Sequence, residues 1–339
     1  MLGNFFNNMY YGKAGKGDYR PEDLPANRWQ LFFEMLRVRW GSIVKVNLLY
    51  ILIWIPAIVW TGVNISALFN IANAMLGAEG SEALAEAIGD LSFGDQVYSL
   101  MFSYLLGMIP CIAITGPFTA GVSLIMRNWA RDQHVFIMSD FKDAVRENWK
   151  QALAVSSLTS VIPWMLLVCW RFYGAMAADS LFFIVPQVFI VMLGVIWMLA
   201  LTLIYSLMIT YRLKFGQLIR NSVILAVGTL FKSVGIRLIT LVLPLIALAL
   251  TAFTSYGIYV MLVVAVFYLF FGFGFNRFIY ASYANALCDQ YVNPRIEGAP
   301  MNLGLRQETD DDYEIDPTLP QPPQAVQQRQ DKKQHEETL

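Results

Sequence analysis

Charge is the scarcest commodity in this chain. Only 14% of its 339 residues are Asp, Glu, Lys or Arg, where a soluble domain of this length carries about a quarter. A surface built with so few charges cannot all face water. Histidine is nearly absent: His134 and His335 are the only two, and neither belongs to an HExxH pattern or a His-carboxylate cluster, which excludes the usual catalytic metal centres. Cys111, Cys169 and Cys288 lie in or beside apolar segments at no metal-ligand or redox spacing, and read as buried, unreactive thiols. A net charge of −1 supplies no basic field for nucleic acid. The fragment GKAGKG, Gly12 to Gly17, has neither the spacing of a phosphate loop nor a strand before it. No acid, base or metal set converges anywhere, so no enzyme activity and no cofactor are expected. The residues before Ser42 are too polar to hold the apolar region of a cleaved signal peptide, so the N-terminus is expected to be retained.

Apolar runs are what the chain has in quantity. Hydrophobic residues make up 57% of it, and the mean hydropathy is +0.50. Six stretches approach or exceed the ~20 residues that a helix needs to cross a bilayer. They are Ser42 to Phe69, Val97 to Met126, Ala152 to Cys169, Leu181 to Ile209, Val234 to Phe253 and Tyr256 to Phe275. Pro110 and Pro117 fall within the second, which is read as one kinked span because neighbouring helices can satisfy the carbonyls a proline frees. Of the 24 Lys and Arg residues, all but Arg171 lie near the chain ends or in the second and fourth connections, while the first connection is acidic. Cytoplasmic loops are the basic ones, so both termini are expected in the cytoplasm and the protein in the cell membrane. The expected fold is an all-α, polytopic membrane helix bundle of six transmembrane helices with cytoplasmic amphipathic helices. It places a cytoplasmic N-terminal segment at 1–27, the membrane domain at 28–292 and a disordered cytoplasmic tail at 293–339. The tail is rich in Pro, Gln and charge and carries the acidic block Glu308 to Asp316, a composition that buries too little apolar surface to order itself.

Three segments have amphipathic, helical spacing next to a span: Arg28 to Trp40, Ser139 to Gln151 and Phe215 to Lys232. In the second, Phe141, Ala144, Val145, Trp149 and Ala152 share one face, with Lys142, Asp143, Arg146, Glu147 and Lys150 on the others. Such helices are expected to lie along the inner interface with basic residues toward lipid headgroups. Each is followed by an outward span containing a proline (Pro56, Pro163, Pro244), which suggests a threefold pattern of interfacial helix, outward span and return span. Ionisable residues are missing from the middle of the spans, which argues against a proton-coupled pump. The polar residues that remain there, Asn47 and Asn64 among them, are expected to make helix-helix hydrogen bonds.

The segment GPFTAGVSLIMRNWARDQHVFIMSDFKDAVRENWKQ, Gly116 to Gln151, resembles the signature of the YesL family of bacterial membrane proteins. Gly116, Pro117, Ala120 and Gly121 match the end of a span in that signature, Arg127, Asn128 and Arg131 its basic turn, and Phe136, Phe141, Lys142, Asn148, Trp149, Lys150 and Gln151 its following helix. The resemblance extends over roughly residues 30 to 293. That family has no established biochemical activity, and its members are often encoded beside carbohydrate ABC transporters. The resemblance therefore implies a non-enzymatic accessory role with the lipid bilayer and a carbohydrate ABC transporter as partners. Candidate partner or lipid contacts are Arg127, Asn128, Arg131, Phe141, Lys142, Arg146, Trp149 and Lys150, and candidate helix-packing positions are Gly116, Pro117, Ala120 and Gly121. A passive or partner-energised small-molecule permease is the alternative, with kinking prolines at Pro56, Pro110, Pro117, Pro163, Pro186 and Pro244 able to frame a path.

Overall fold

Asn27 starts the first helix: its backbone is extended and its side chain accepts a hydrogen bond from Gln30 N, satisfying one of the free amides of the first turn. The computed structural model describes residues 24–77, 82, 84, 86, 92–253 and 256–306. Helix α1 runs from Arg28 to Met75 without a break at Pro56. Ser92 caps α2, Phe93–Trp129, with Asp95 in its first turn, where a carboxylate meets the positive end of the helix dipole. Helix α3 is Ile137–Ala177, and Asp140 in its first turn accepts from Phe136 N. There follow α4 (Ile184–Thr210), α5 (Phe215–Gly228), α6 (Leu230–Phe253) and α7 (Gly257–Phe267). A π-turn, Tyr268–Gly272, leads into α8, Phe273–Leu287, and a second, Cys288–Val292, leads out of it to a 3-10 turn at Asn293–Arg295.

Six helical runs among the described residues are long and apolar enough to cross a membrane: α1, α2, α3, Leu181–Thr210, Leu230–Thr251 and Tyr259–Arg295. Each overlaps one of the six spans read from the sequence, the first and third beginning earlier and the sixth ending later, and α2 passes through Pro110 and Pro117 as one helix. No strand occurs among the described residues. This is the architecture of an all-helical, multi-pass membrane protein.

The amphipathic segments differ from expectation. Arg28 to Trp40 forms the opening turns of α1, and Ser139 to Gln151 those of α3, so neither is a separate interfacial helix. In α3 no glycine, proline or capping residue separates the two parts, and α1 continues as one helix through Gly41 and Ser42. At about 1.5 Å per residue, α3 is roughly 60 Å long, about twice the hydrocarbon thickness of a bilayer. Only Phe215–Gly228 stands as its own helix, ended by Thr229 at φ −118°, ψ 40°. The acidic first connection, the Thr254-Ser255 hairpin tip, the N-terminal GKAGKG and the tail with its acidic block lie wholly or mostly outside the described residues.

Two apolar clusters organise the unit Pro25–Leu305. One joins α1, α2 and α8 through Ile43, Val46, Tyr50, Ile125, Trp129 and Phe278. The other joins α4, α5 and α8 through Leu203, Ile204, Leu207, Leu218 and Leu287. Asn47 pins the first π-turn: its Nδ2 donates to Tyr268 O (3.1 Å) and Leu269 O (2.8 Å), and its Oδ1 accepts from Gly274 N (2.7 Å). The extra residue of a π-turn disrupts the regular helical ladder, and Asn47 supplies partners for the groups left over. At one end of the bundle Arg171 of α3 pairs with Asp95 of α2 at 2.6 Å and lies 4.0 Å from the Tyr98 ring. Arg28, Arg127 and Arg131 gather at the opposite end, called here the basic end.

Candidate functional site

The basic end is held by a network that starts in the last turn of α2. Arg127 reaches the C-terminus of α4, where Nη1 donates to Ile209 O (3.1 Å) and Thr210 Oγ1 (3.3 Å), while Nε and Nη2 hold Asn128 Oδ1 at 3.0 and 2.7 Å. A helix C-terminus carries unsatisfied carbonyls and the negative end of the dipole, so a guanidinium answers both. Arg131 is only 8% exposed. Its Nε donates to Asn285 Oδ1 (3.0 Å), and Asn285 Nδ2 donates in turn to Arg127 O (3.3 Å). Arg131 Nη2 is buried without a partner. Among the described residues no carboxylate lies within ion-pair distance of Arg127 or Arg131.

A turn further on, Asp289 pairs with Arg28 at the start of α1 and accepts from Asn302 N (3.2 Å). Asn293 donates to the other oxygen of Asp289 and accepts from Tyr211 OH at 2.5 Å. Burial, reinforced by the neighbouring Cys288, pushes the Tyr211 hydroxyl well above the ordinary phenol range, so it stays protonated and remains a donor. The segment Asn293–Leu305, read from the sequence as the start of the tail, folds back over this network. Gly304 makes that possible: it sits at φ +79°, where a Cβ would stand 3.0 Å from the Arg131 carbonyl, a conformation and an approach that favour glycine.

The structure divides the residues singled out in the sequence. Arg127, Asn128, Arg131 and Phe141 turn inward. Phe141 packs on Gly121, where an added Cβ would come within 2.6 Å of its ring, and its ring centroid lies 6.4 Å from that of Phe118. Lys142, Arg146, Trp149 and Lys150 turn outward on the projecting turns of α3, with Lys150 Nζ 5.5 Å from the Trp149 ring. Gln151 Nε2 donates to Leu213 O at 2.8 Å, tying α3 to the link between α4 and α5. Gly116 marks the closest approach of α2 and α3: a Cβ there would lie 2.2 Å from Ser156 Oγ and 2.3 Å from Ala152 O. Ser156 Oγ uses that proximity to donate to Ala113 O at 2.6 Å. Ala120 is fully buried beside the crossing, and Pro117 lies one residue beyond Gly116 within the unbroken helix. Small residues that let two backbones touch are the usual glue of membrane helices.

Sequence reading missed Asn285, Asp289, Asn293 and Asn302, because it ended the sixth span near Phe275, and it missed Tyr211, which lies in the link after α4. The signal was present: from Asn276 to Asn293 no glycine or proline interrupts the helix, and Phe278, Ala281 and Asn285 keep helical spacing. Among the described residues, no three His, Cys, Asp or Glu side chains are grouped to hold a metal ion. The arrangement locks α1, α2, α4 and α8 together at one end and presents a basic, aromatic face on α3.

Residues 94–170 match the model of a family described as a protein of unknown function, DUF624. The matched region is α2 and all but the last turns of α3, so the likeness covers the Gly116 crossing, the Arg127 anchor and the outward basic face. No curated protein and no solved structure matches the chain.

Proposed function

We propose that this protein is a non-enzymatic accessory protein of the bacterial cell membrane, a YesL-type relative of the matched family, with its basic end and both termini in the cytoplasm. The observation that carries the reading is the outward face of α3. Phe141 and Ala144 fix the inner side of these turns against the bundle, while Lys142, Arg146, Trp149 and Lys150 stand exposed on the other sides. A rigid helix that carries three cations and an indole past the end of its span is suited to docking. The partner implied by the resemblance is a carbohydrate ABC transport system, which this protein would assist, since among the described residues no carboxylate lies in the middle of a span.

A photoreactive residue at Asp143 or Glu147, both exposed on α3, tests this in native membranes. A discrete crosslinked product containing a transporter subunit is expected. Crosslinks confined to lipid or to the protein itself would overturn the partner reading, and flux through reconstituted liposomes would then test the permease alternative.

A further inference from the structure

A groove of about 670 Å³ lies between the start of α1, α6 and α8. Its three walls share one polarity. On α1, Arg28 stands at the basic end, with Phe32 a turn closer to the middle of the span. On α6, Lys232 stands at the basic end, followed inward by Ile236 and Ile239. Helix α8 runs the other way, so Phe275 and Ile279 lie deep and Gln290, just past its end, returns to the level of the cations. From Phe275 to Gln290 is about 22 Å at 1.5 Å per residue, close to the thickness of one leaflet with its headgroups. Gly235 keeps the α6 wall open, since nothing lies within 4 Å of where its Cβ would be. Trp29 and Phe33 at the rim are 68% and 60% exposed.

We propose that this groove is a binding site for one anionic phospholipid, its acyl chain along α8 and its phosphate between Lys232 and Arg28. Charge complementarity selects that occupant. Lys232 is exposed and has no carboxylate at ion-pair distance among the described residues, and Arg28 shares its charge with the single carboxylate of Asp289. A cationic mouth above an apolar slot between spanning helices is the arrangement that retains anionic headgroups. The site is separate from the face on α3 and does not depend on the docking reading.

Native mass spectrometry of the full-length protein in detergent, titrated with phosphatidylglycerol or phosphatidylcholine, tests the assignment. The native chain retains one phosphatidylglycerol in preference to phosphatidylcholine. Lys232→Gln weakens phosphatidylglycerol about fivefold, the worth of one lysine near an anionic headgroup, and leaves phosphatidylcholine unchanged. Gly235→Leu fills the slot and removes retention of both lipids, while thermal unfolding confirms that both variants are folded. Equal retention of the two lipids by the native chain, or unaltered retention in both variants, overturns the proposal. So does finding the groove filled by a peptide in a structure determined in anionic nanodiscs.

Discussion

Asn285 holds two arginines through one amide, accepting from Arg131 Nε and donating to Arg127 O. Replacing it with leucine strands a buried guanidinium and a buried carbonyl, and Asn285→Leu should cost about 2–4 kcal/mol. Asn285→Asp should cost less, because a carboxylate still accepts from Arg131 and also neutralises it. Thermal unfolding in one detergent ranks the two, and equal losses would show that the hydrogen bond to Arg131 contributes little. A second contrast concerns glycine. Gly116→Ala forces a methyl into Ser156 and the Ala152 carbonyl and should destabilise by about 1–3 kcal/mol. Gly62→Ala, in a position where nothing lies within 4 Å of the added Cβ, should be neutral or stabilising by about 0.5–1 kcal/mol. The sequence marked Gly116 as a packing position through its small neighbours. It could not rank the glycines by clearance, which depends on how closely the partner helix approaches.

At the scale of elements, Asn47 ties α1 to the π-turn that begins α8. Asn47→Leu removes three hydrogen bonds at once. Amide hydrogen exchange over 268–274 should then quicken markedly, while exchange in the α2–α3 hairpin stays as in the native protein. Unchanged exchange at 268–274 would show that the turn is held by helical packing alone. The spans themselves were legible as apolar runs of sufficient length, because hydrocarbon imposes that requirement on any helix that crosses it. Two features of the helices were not. An amphipathic opening such as Arg28 to Trp40 has the same residue pattern whether it lies on the membrane or continues a span, so α1 and α3 were read as two pieces each. The sixth span was ended near Phe275, although the small and aromatic residues that follow keep helical spacing. That continuation stays helical because Phe278, Ala281 and Ala284 bury against the two apolar clusters.

For the molecule as a whole, the bundle brings Arg28, Arg127 and Arg131 together at one end and leaves Arg171 at the other, ion-paired with Asp95. Under the proposed orientation, a cysteine placed at Glu147 should react with an impermeant maleimide only after the membrane is opened, and one at Asp179 should react in intact cells. The background has Cys111, Cys169 and Cys288 replaced by serine, and the reverse labelling pattern would refute the proposed orientation. The sequence by itself determined the solvent of this protein and the number of its crossings, since scarce charge and long apolar runs answer to the bilayer whatever the packing. It also assigned the basic residues to one side. Only the tertiary structure decided which of those cations are buried and which are free to meet a partner. Arg127 and Arg131 point into the bundle because helix ends and asparagines from distant parts of the chain accept their hydrogen bonds there. Among the described residues, Lys142, Arg146 and Lys150 find no such acceptors, and they face outward. Residue type and spacing cannot distinguish the two sets, because the distinction lies in the position of carbonyl groups more than eighty residues away along the chain.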